Sequence, residues 1–316
     1  MTDQDPNWEK SILEKIATEG LREQKRSRRW GIFFKLLTFL YLFILIGLFY
    51  SESDGTDIKP GQKHTALVDL KGIIAPGTEA SADKMITSLR NAFKSPNTVG
   101  VILRINSPGG SPVQSGYIYD EILRLRAKYP STPLHTVITD ICASGGYYVA
   151  AAAERIYADQ ASIVGSIGVR MDNFGFVDAM KKLGIERRTL TAGENKALMD
   201  PFSAIDKNVT QHLQGLINSV HSQFINAVKQ GRGDRLKEVE GMFSGLIWTG
   251  DQGVELGLVD ELGSASLVAR EVFGTEHIVD FTIQPDFFER FSKTVGVQLA
   301  SILSQNNLLP QLRVSP

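Results

Sequence analysis

The apolar positions divide the chain into three regimes. Residues 1–29 are polar and charged, with a weak apolar stripe at Ile12, Leu13 and Ile16. Glu9 to Glu23 has helical spacing, but so few apolar positions read as a solvated tail. It ends in a basic cluster: Arg22, Lys25, Arg26, Arg28 and Arg29. Trp30 to Tyr50 is apolar apart from Lys35. About 20 apolar residues match the hydrocarbon thickness of a bilayer. Trp30 and Tyr50 suit its two interfaces, and Lys35 lies close enough to the basic end to snorkel. Residues 51–63, rich in Gly, Ser, Asp and Lys, read as a linker.

Beyond the linker, short apolar β-branched runs alternate with segments of helical spacing. Strands are expected at Thr65–Ile74, Val99–Ile105, Leu134–Thr139, Arg155–Ala158 and Ile278–Ile283, with an extended segment at Glu186–Leu190. Helices are expected at Ala82–Phe93, Val113–Lys128, Gly175–Leu183, Ile205–Lys229, Gly250–Leu256 and Leu267–Phe273. Repeated β–α alternation predicts an α/β fold with parallel pairing. From Asp286 to Gln305, apolar residues at Phe287, Phe288, Phe291, Val295, Leu299 and Ile302 fit an amphipathic helix. Such a helix packs on its own domain or meets a membrane or sister subunit.

Charge orients the apolar span. The basic flank precedes it and Glu52, Asp54 and Asp57 follow, so the positive-inside rule places residues 1–29 in the cytoplasm and the remainder across the membrane. A cleaved signal sequence would have a shorter apolar core and a small-x-small site, which Ser51-Glu52-Ser53 does not supply. The net charge of −1 offers no field for nucleic acid. The single cysteine, Cys142, excludes an intramolecular disulfide. His64, His135, His212, His221 and His277 show no metal-ligand spacing, so no metal or other cofactor is expected.

The candidate chemistry centres on Ala143-Ser144-Gly145-Gly146, which follows an apolar run and precedes an alanine-rich helical segment. Strand, tight turn, serine and helix together lift a hydroxyl off a sheet edge. A serine needs a base. No histidine lies in a turn that suggests a site, although a Ser-His-Asp triad cannot be judged from sequence order. A lysine serves only when neutral, which requires dry surroundings. Lys196, before Ala197, Leu198, Met199, Pro201 and Phe202, is the best candidate. A lysine base predicts activity that falls on acidification. Pro108-Gly109-Gly110 forms a second glycine turn at a strand end, where amides can reach a substrate oxygen. Cys142, two residues before Ser144, is a rival nucleophile that strand alternation would aim the same way.

Several motifs in order then carry a resemblance. They are Asn106-Ser107-Pro108-Gly109-Gly110-Ser111, Ala143-Ser144-Gly145-Gly146-Tyr147-Tyr148, Gly165-Ser166-Ile167-Gly168-Val169, and Gly193 to Lys196 before Met199-Asp200-Pro201-Phe202. Gly253-Val254 and Gly257-Leu258-Val259-Asp260 complete the set. Over roughly residues 65 to 275 the chain resembles the signal peptide peptidase A (protease IV) family of membrane-bound serine peptidases, in a short form with one catalytic unit. The resemblance implies a crotonase-like (Clp protease-like) fold of repeated β-β-α units behind one N-terminal transmembrane helix. It implies Ser144 as nucleophile, Lys196 as general base and Ser166 as the hydroxyl that orients the lysine. Gly109 and Gly145 correspond to the oxyanion-hole donors, with Gly110 a further candidate. It also implies signal-peptide remnants and other membrane-proximal peptides as substrates, and a homo-oligomer in which Ser144 and Lys196 pair within or between subunits.

The expected organisation is a cytoplasmic tail (1–29), a transmembrane helix (30–50), a linker (51–63), a peptidase domain (64–284) and a C-terminal amphipathic helix and tail (285–316). The expected location is a bacterial inner membrane, crossed once, with the catalytic domain extracytoplasmic. Two rivals share the fold: an acyl-CoA enzyme of the crotonase type, and an anchored scaffold without activity.

Overall fold

The structure, a computed structural model, describes residues 8–51 and 61–283. Most of the expected linker and all of the expected C-terminal helix and tail (285–316) lie outside the described residues. The chain divides into two compact units, Met1–Ile58 and Lys59–Pro316.

The described residues of the first unit form one helix, α1, Trp8–Ser51, of 44 residues. At 1.5 Å per residue it is about 66 Å long. Its apolar stretch, Thr18–Gly47, is long and apolar enough to cross a membrane. The basic segment expected as a solvated tail is helical too. It is built from good helix formers and continues a helix already nucleated, so each added residue gains a backbone hydrogen bond at little cost.

The second unit is built on an eight-stranded sheet. Strands β1 (His64–Lys71), β2 (Thr98–Ser107) and β3 (Leu134–Ala143) pair in parallel, and β8 (Ile278–Asp280) pairs in parallel on the far side of β1. Helices α2 (Ala82–Lys94) and α3 (Pro112–Lys128) make the crossovers. Ser111 caps α3 by accepting the Gln114 N–H, and Pro112 sits at its first turn, where no amide is needed. Alternation along β1 sends Ala66, Val68 and Leu70 to the main core with Leu89 and Ile118, and Leu67 to a second cluster with Ile102, Val137, Tyr157, Val268 and Ala269. The sheet is therefore buried on both faces over much of its area, which explains why β1 to β3 are mostly apolar, with Asp69 of β1 paired to Arg104 of β2.

At β3 the sheet forks. Residues 135–138 pair with β4 (Arg155–Ala158), and residues 141–143 pair with β5 (Ile163–Gly165). Buried Ser162 holds the fork, its hydroxyl donating to the Thr139 carbonyl. Three short strands are absent from the expected set: β5 itself, β6 (Ile247–Thr249), antiparallel to it, and β7 (Glu261–Leu262), beside β4. The pairing is thus not wholly parallel. The extended segment expected at Glu186–Leu190 joins no strand, and Leu190 is 100% exposed.

Helix α4 (Gly145–Ala150) follows β3 directly. Residues 170–206 form an arm containing α5 (Val177–Leu183), and α6 (Lys207–Arg232) leads back to the core. The arm folds on itself through Phe176 N–H to the Pro201 carbonyl at 2.7 Å and an Arg187–Asp200 ion pair. It leaves Phe174, Leu183 and Ile205 at least 72% exposed. Helix α7 (Gly250–Glu255) and α8 (Ala265–Leu267), which widens into a π-turn over Val268–Val272, close the unit.

A buried ion cluster ties α6 to the chain after α7. Arg232, whose side chain is 0% exposed, donates to the Asp260 carboxylate at 2.8 Å and to the Gly257 carbonyl at 2.8 Å. Asp260 also accepts the Ile156 N–H at 2.7 Å and pairs with Arg235 at 3.1 Å. Burial opposes ionisation of Asp260, but the Arg232 hydrogen bond and charge, with the Ile156 amide and Arg235, outweigh it and hold the carboxyl below its usual range. A carboxyl depressed on folding stabilises above its unfolded value and ceases to do so as pH falls through the folded one. Asp260→Ala leaves a guanidinium buried without its partner, at an expected cost of about 3–5 kcal/mol. The expected result is a lower unfolding midpoint in denaturant at pH 7, with the difference from the parent narrowing as the medium is acidified below about pH 4. An unchanged midpoint at pH 7 would contradict the assignment.

Candidate active site

Ser144 stands between β3 and α4 at φ 52°, ψ −124°, a left-handed conformation rare for a residue with a side chain. Its N–H donates to the Gly165 carbonyl of β5 at 2.9 Å, and its own carbonyl accepts the Tyr148 N–H at 3.0 Å, opening α4. The backbone is therefore bent and fastened on both sides of the serine, and its hydroxyl does not cap the helix. Strain held by surrounding hydrogen bonds in this way marks a site rather than an ordinary turn.

The second glycine turn lies against this elbow. The Ile74 N–H donates to the Gly109 carbonyl at 2.9 Å, and the Ser111 N–H donates to the Ile74 carbonyl at 2.7 Å. In such a bridge the residue between, Gly110, turns its own N–H to the other side. The Gly109 N–H is engaged, donating to Ser107 Oγ at 3.1 Å, while Ser107 donates onward to the Gly72 carbonyl at 2.6 Å. The N–H groups of Gly110 and Gly145 have no acceptor among the described residues. They are neighbours: a Cβ built on Gly145 would lie 3.2 Å from the Gly110 nitrogen. The sequence points to Gly109 and Gly145 as oxyanion donors. The structure leaves Gly110 and Gly145 free, because Ser107 takes the Gly109 amide. Nothing in the pattern marks Ser107 for this role beyond its place before Pro108.

Ser144, Gly109, Gly110, Gly145 and Ser166 line one cleft of about 900 Å³. Ser166 is also left-handed, at φ 50°, with its N–H donating to the Leu246 carbonyl at 2.7 Å. Ile73, Val113 and Phe224 give part of the cleft wall an apolar surface, and Asp120, Arg170 and Gln223 line the rest. Lys196 is not among its lining residues and is exposed, on the turn 194–199 of the arm. The burial expected of the Lys196 amine is absent within a single chain, because the arm carries too few core contacts to enclose it.

Cys142 is fully buried in the main core, and burial pushes its thiol far above the ordinary range. The left-handed bend at Ser144 breaks strand alternation, so the two side chains do not share a direction. That removes the cysteine alternative. No histidine lines the cleft. His135 is buried, and desolvation lowers its pKa. His221, on α6, approaches the site indirectly, with Nε2 3.2 Å from the Ile167 carbonyl oxygen.

A serine on a strained strand-to-helix elbow, two unengaged amides beside it and an open cleft in front are the equipment of acyl transfer through a hydroxyl. Comparison with known sequences gives the same class a family. Residues 126–273 match peptidase family S49. A Synechocystis protein named "Putative protease slr0021" is 32% identical over 203 residues, 64% of this chain and 71% of that protein. Protease 4 of Haemophilus influenzae is 32% identical over 203 residues, 63% of this chain and 32% of that one. The Na(+)/H(+) antiporter NhaA of Brucella melitensis is 42% identical over 186 residues, 59% of this chain. This chain spans 25% of the length of that antiporter, whose name describes the longer protein. The chain belongs to peptidase family S49.

Proposed function

We propose that the protein is a membrane-anchored serine endopeptidase whose catalytic domain, residues 64–284, has the crotonase-like (Clp protease-like) fold. The observation that carries this reading is Ser144 on its strained elbow beside the free amides of Gly110 and Gly145. Ser144 Oγ attacks a peptide carbonyl as Lys196 Nζ removes its proton. The Gly110 and Gly145 amides hold the oxyanion, and Ser166 orients the lysine amine. The ammonium then returns its proton to the leaving amine, and water releases the acyl group from Ser144.

In this reading Lys196 reaches Ser144 from a neighbouring copy. Two facts support that: Lys196 is exposed and outside the cleft of its own chain, and the arm that carries it presents Phe174, Leu183, Leu190 and Ile205 to solvent. Apolar side chains exposed in such number suit an interface between copies. Helix α1 anchors the chain, with its basic end cytoplasmic and the catalytic domain outside the inner membrane of a bacterium. The substrates are membrane-proximal peptides, signal-peptide remnants among them, and the apolar part of the cleft wall suits apolar side chains next to the scissile bond.

A serine-directed phosphonate tests the nucleophile. The parent enzyme is expected to be labelled once per chain at Ser144, and Ser144→Ala not at all. Labelling that persists in Ser144→Ala would move the nucleophile elsewhere. No labelling of the folded parent would favour the inactive scaffold.

A further inference from the structure

The turn that holds Ser166 also holds Ser144. The Gly165 carbonyl accepts the Ser144 N–H at 2.9 Å, and the Ser166 N–H donates to the Leu246 carbonyl at 2.7 Å. The third residue, Ile167, has its side chain fully buried in the core, and its carbonyl faces His221 Nε2 at 3.2 Å. Of these three tethers the last is made by a side chain from a distant element, 54 residues along the chain. Both serines are in left-handed backbone, at φ 52° and 50°, a state that persists only where neighbouring bonds over-determine it.

His221 is half-buried on α6, and its helix neighbours Val220 and Phe224 line the cleft while the imidazole does not. A carbonyl oxygen can only accept, so Nε2 carries the hydrogen and the neutral ring leaves Nδ1 bare. The bond is made in either charge state of the ring, so His221 acts here as a tether.

We propose that His221 is a positioning residue: its ring N–H on the Ile167 carbonyl fixes the 165–168 turn, and so holds Ser166 at the cleft and, through Gly165, the Ser144 elbow. This rests on the roles assigned above to Ser144 and Ser166. It gives α6, which begins at the exposed arm, a direct mechanical connection to the catalytic serine.

The test uses the full chain in detergent and a fluorogenic peptide. His221→Asn is one methylene too short to reach Ile167, whereas His221→Gln restores a donor at nearly the original distance. His221→Asn is expected to lower kcat about tenfold, with KM within about twofold, and His221→Gln to recover most of the loss. In a Ser166→Ala background His221→Asn is expected to cost less than in the parent, since the part of its effect that acts through Ser166 is already lost and only the part acting through Gly165 remains. Three results would overturn the proposal: an unchanged kcat in His221→Asn, equal losses in the Asn and Gln variants, or a full additional loss on top of Ser166→Ala. Phosphonate titration of each variant separates this outcome from failure of the underlying reading. Undiminished labelling stoichiometry with slower turnover belongs to His221, whereas labelling that survives Ser144→Ala removes the nucleophile itself.

Discussion

Ser144→Ala and Lys196→Ala each reduce peptide hydrolysis by roughly 10⁴-fold or more, the scale expected when nucleophile or base is removed from a group of residues that acts as a unit. Co-expression of the two inactive variants restores activity. Consider a site whose serine comes from one copy and whose lysine comes from the next. The Lys196→Ala subunit still carries an intact serine, and the Ser144→Ala subunit an intact lysine. Random assembly brings the two together in about a quarter of sites, so recovered activity approaches that fraction of the parent value. If both residues belong to the same copy, every site lacks one of them and the mixture stays inactive. The prediction follows from position: the cleft holds Ser144 and Ser166, and Lys196 stands outside it on the arm. Each variant is checked for folding by its melting curve. Activity retained by Lys196→Ala alone would remove it from the mechanism.

The sheet and the elbow were legible in the sequence because they rest on local rules. β1, β2 and β3 are largely buried, so they read as mostly apolar runs interrupted by few charges, Asp69 and Arg104 among them, which pair with each other, and Ser144 sits where an apolar run meets two glycines. Helix α3, expected at Val113–Lys128 from its helical spacing, runs from Pro112 to Lys128. The rest depends on contacts that no local pattern encodes. β6 and β7 have three and two residues, too short for any periodicity, and exist because β5 and β4 offer them an edge. The helical course of residues 8–29 comes from continuity with the apolar span and not from an apolar face of their own. The role of Ser107 in occupying the Gly109 amide appears only when β1 and β2 are set side by side. His221 is hidden from the sequence in the same way. Its partner, the Ile167 carbonyl, lies on a different element, and a lone histidine on a long helix carries no mark of that. Lys196 shows the converse. Its apolar neighbours in sequence suggested a dry pocket, but sequence neighbours on an unpacked arm do not bury a side chain.

Gly109→Ala lowers kcat by about 10²–10³-fold, the loss expected when an oxyanion donor is displaced, although the Gly109 amide itself is engaged elsewhere. The cause is steric. Gly109 is at φ 98°, and a Cβ there would lie 2.6 Å from the Gly145 nitrogen, 2.7 Å from the Ala143 carbonyl oxygen and 2.8 Å from Ser144 Cβ. The first two are backbone atoms, so no rotamer change relieves the contact, and the elbow must move away from the glycine turn. A displacement near 1 Å separates the Gly145 amide from the oxyanion and turns the serine hydroxyl off its line of attack. Gly145→Ala provides the contrast. Its Cβ meets the Ser115 hydroxyl at 2.5 Å, a side chain that can rotate, and the Gly110 nitrogen at 3.2 Å, a contact relieved by a shift of a few tenths of an ångström, so the Gly110 and Gly145 amides are crowded but not driven apart. The expected order of kcat is therefore parent, then Gly145→Ala, then Gly109→Ala, with phosphonate labelling slowed in the same order. A Gly109→Ala enzyme within about threefold of the parent kcat would show that the two turns can part without harm, and that the oxyanion is held by groups other than the Gly110 and Gly145 amides.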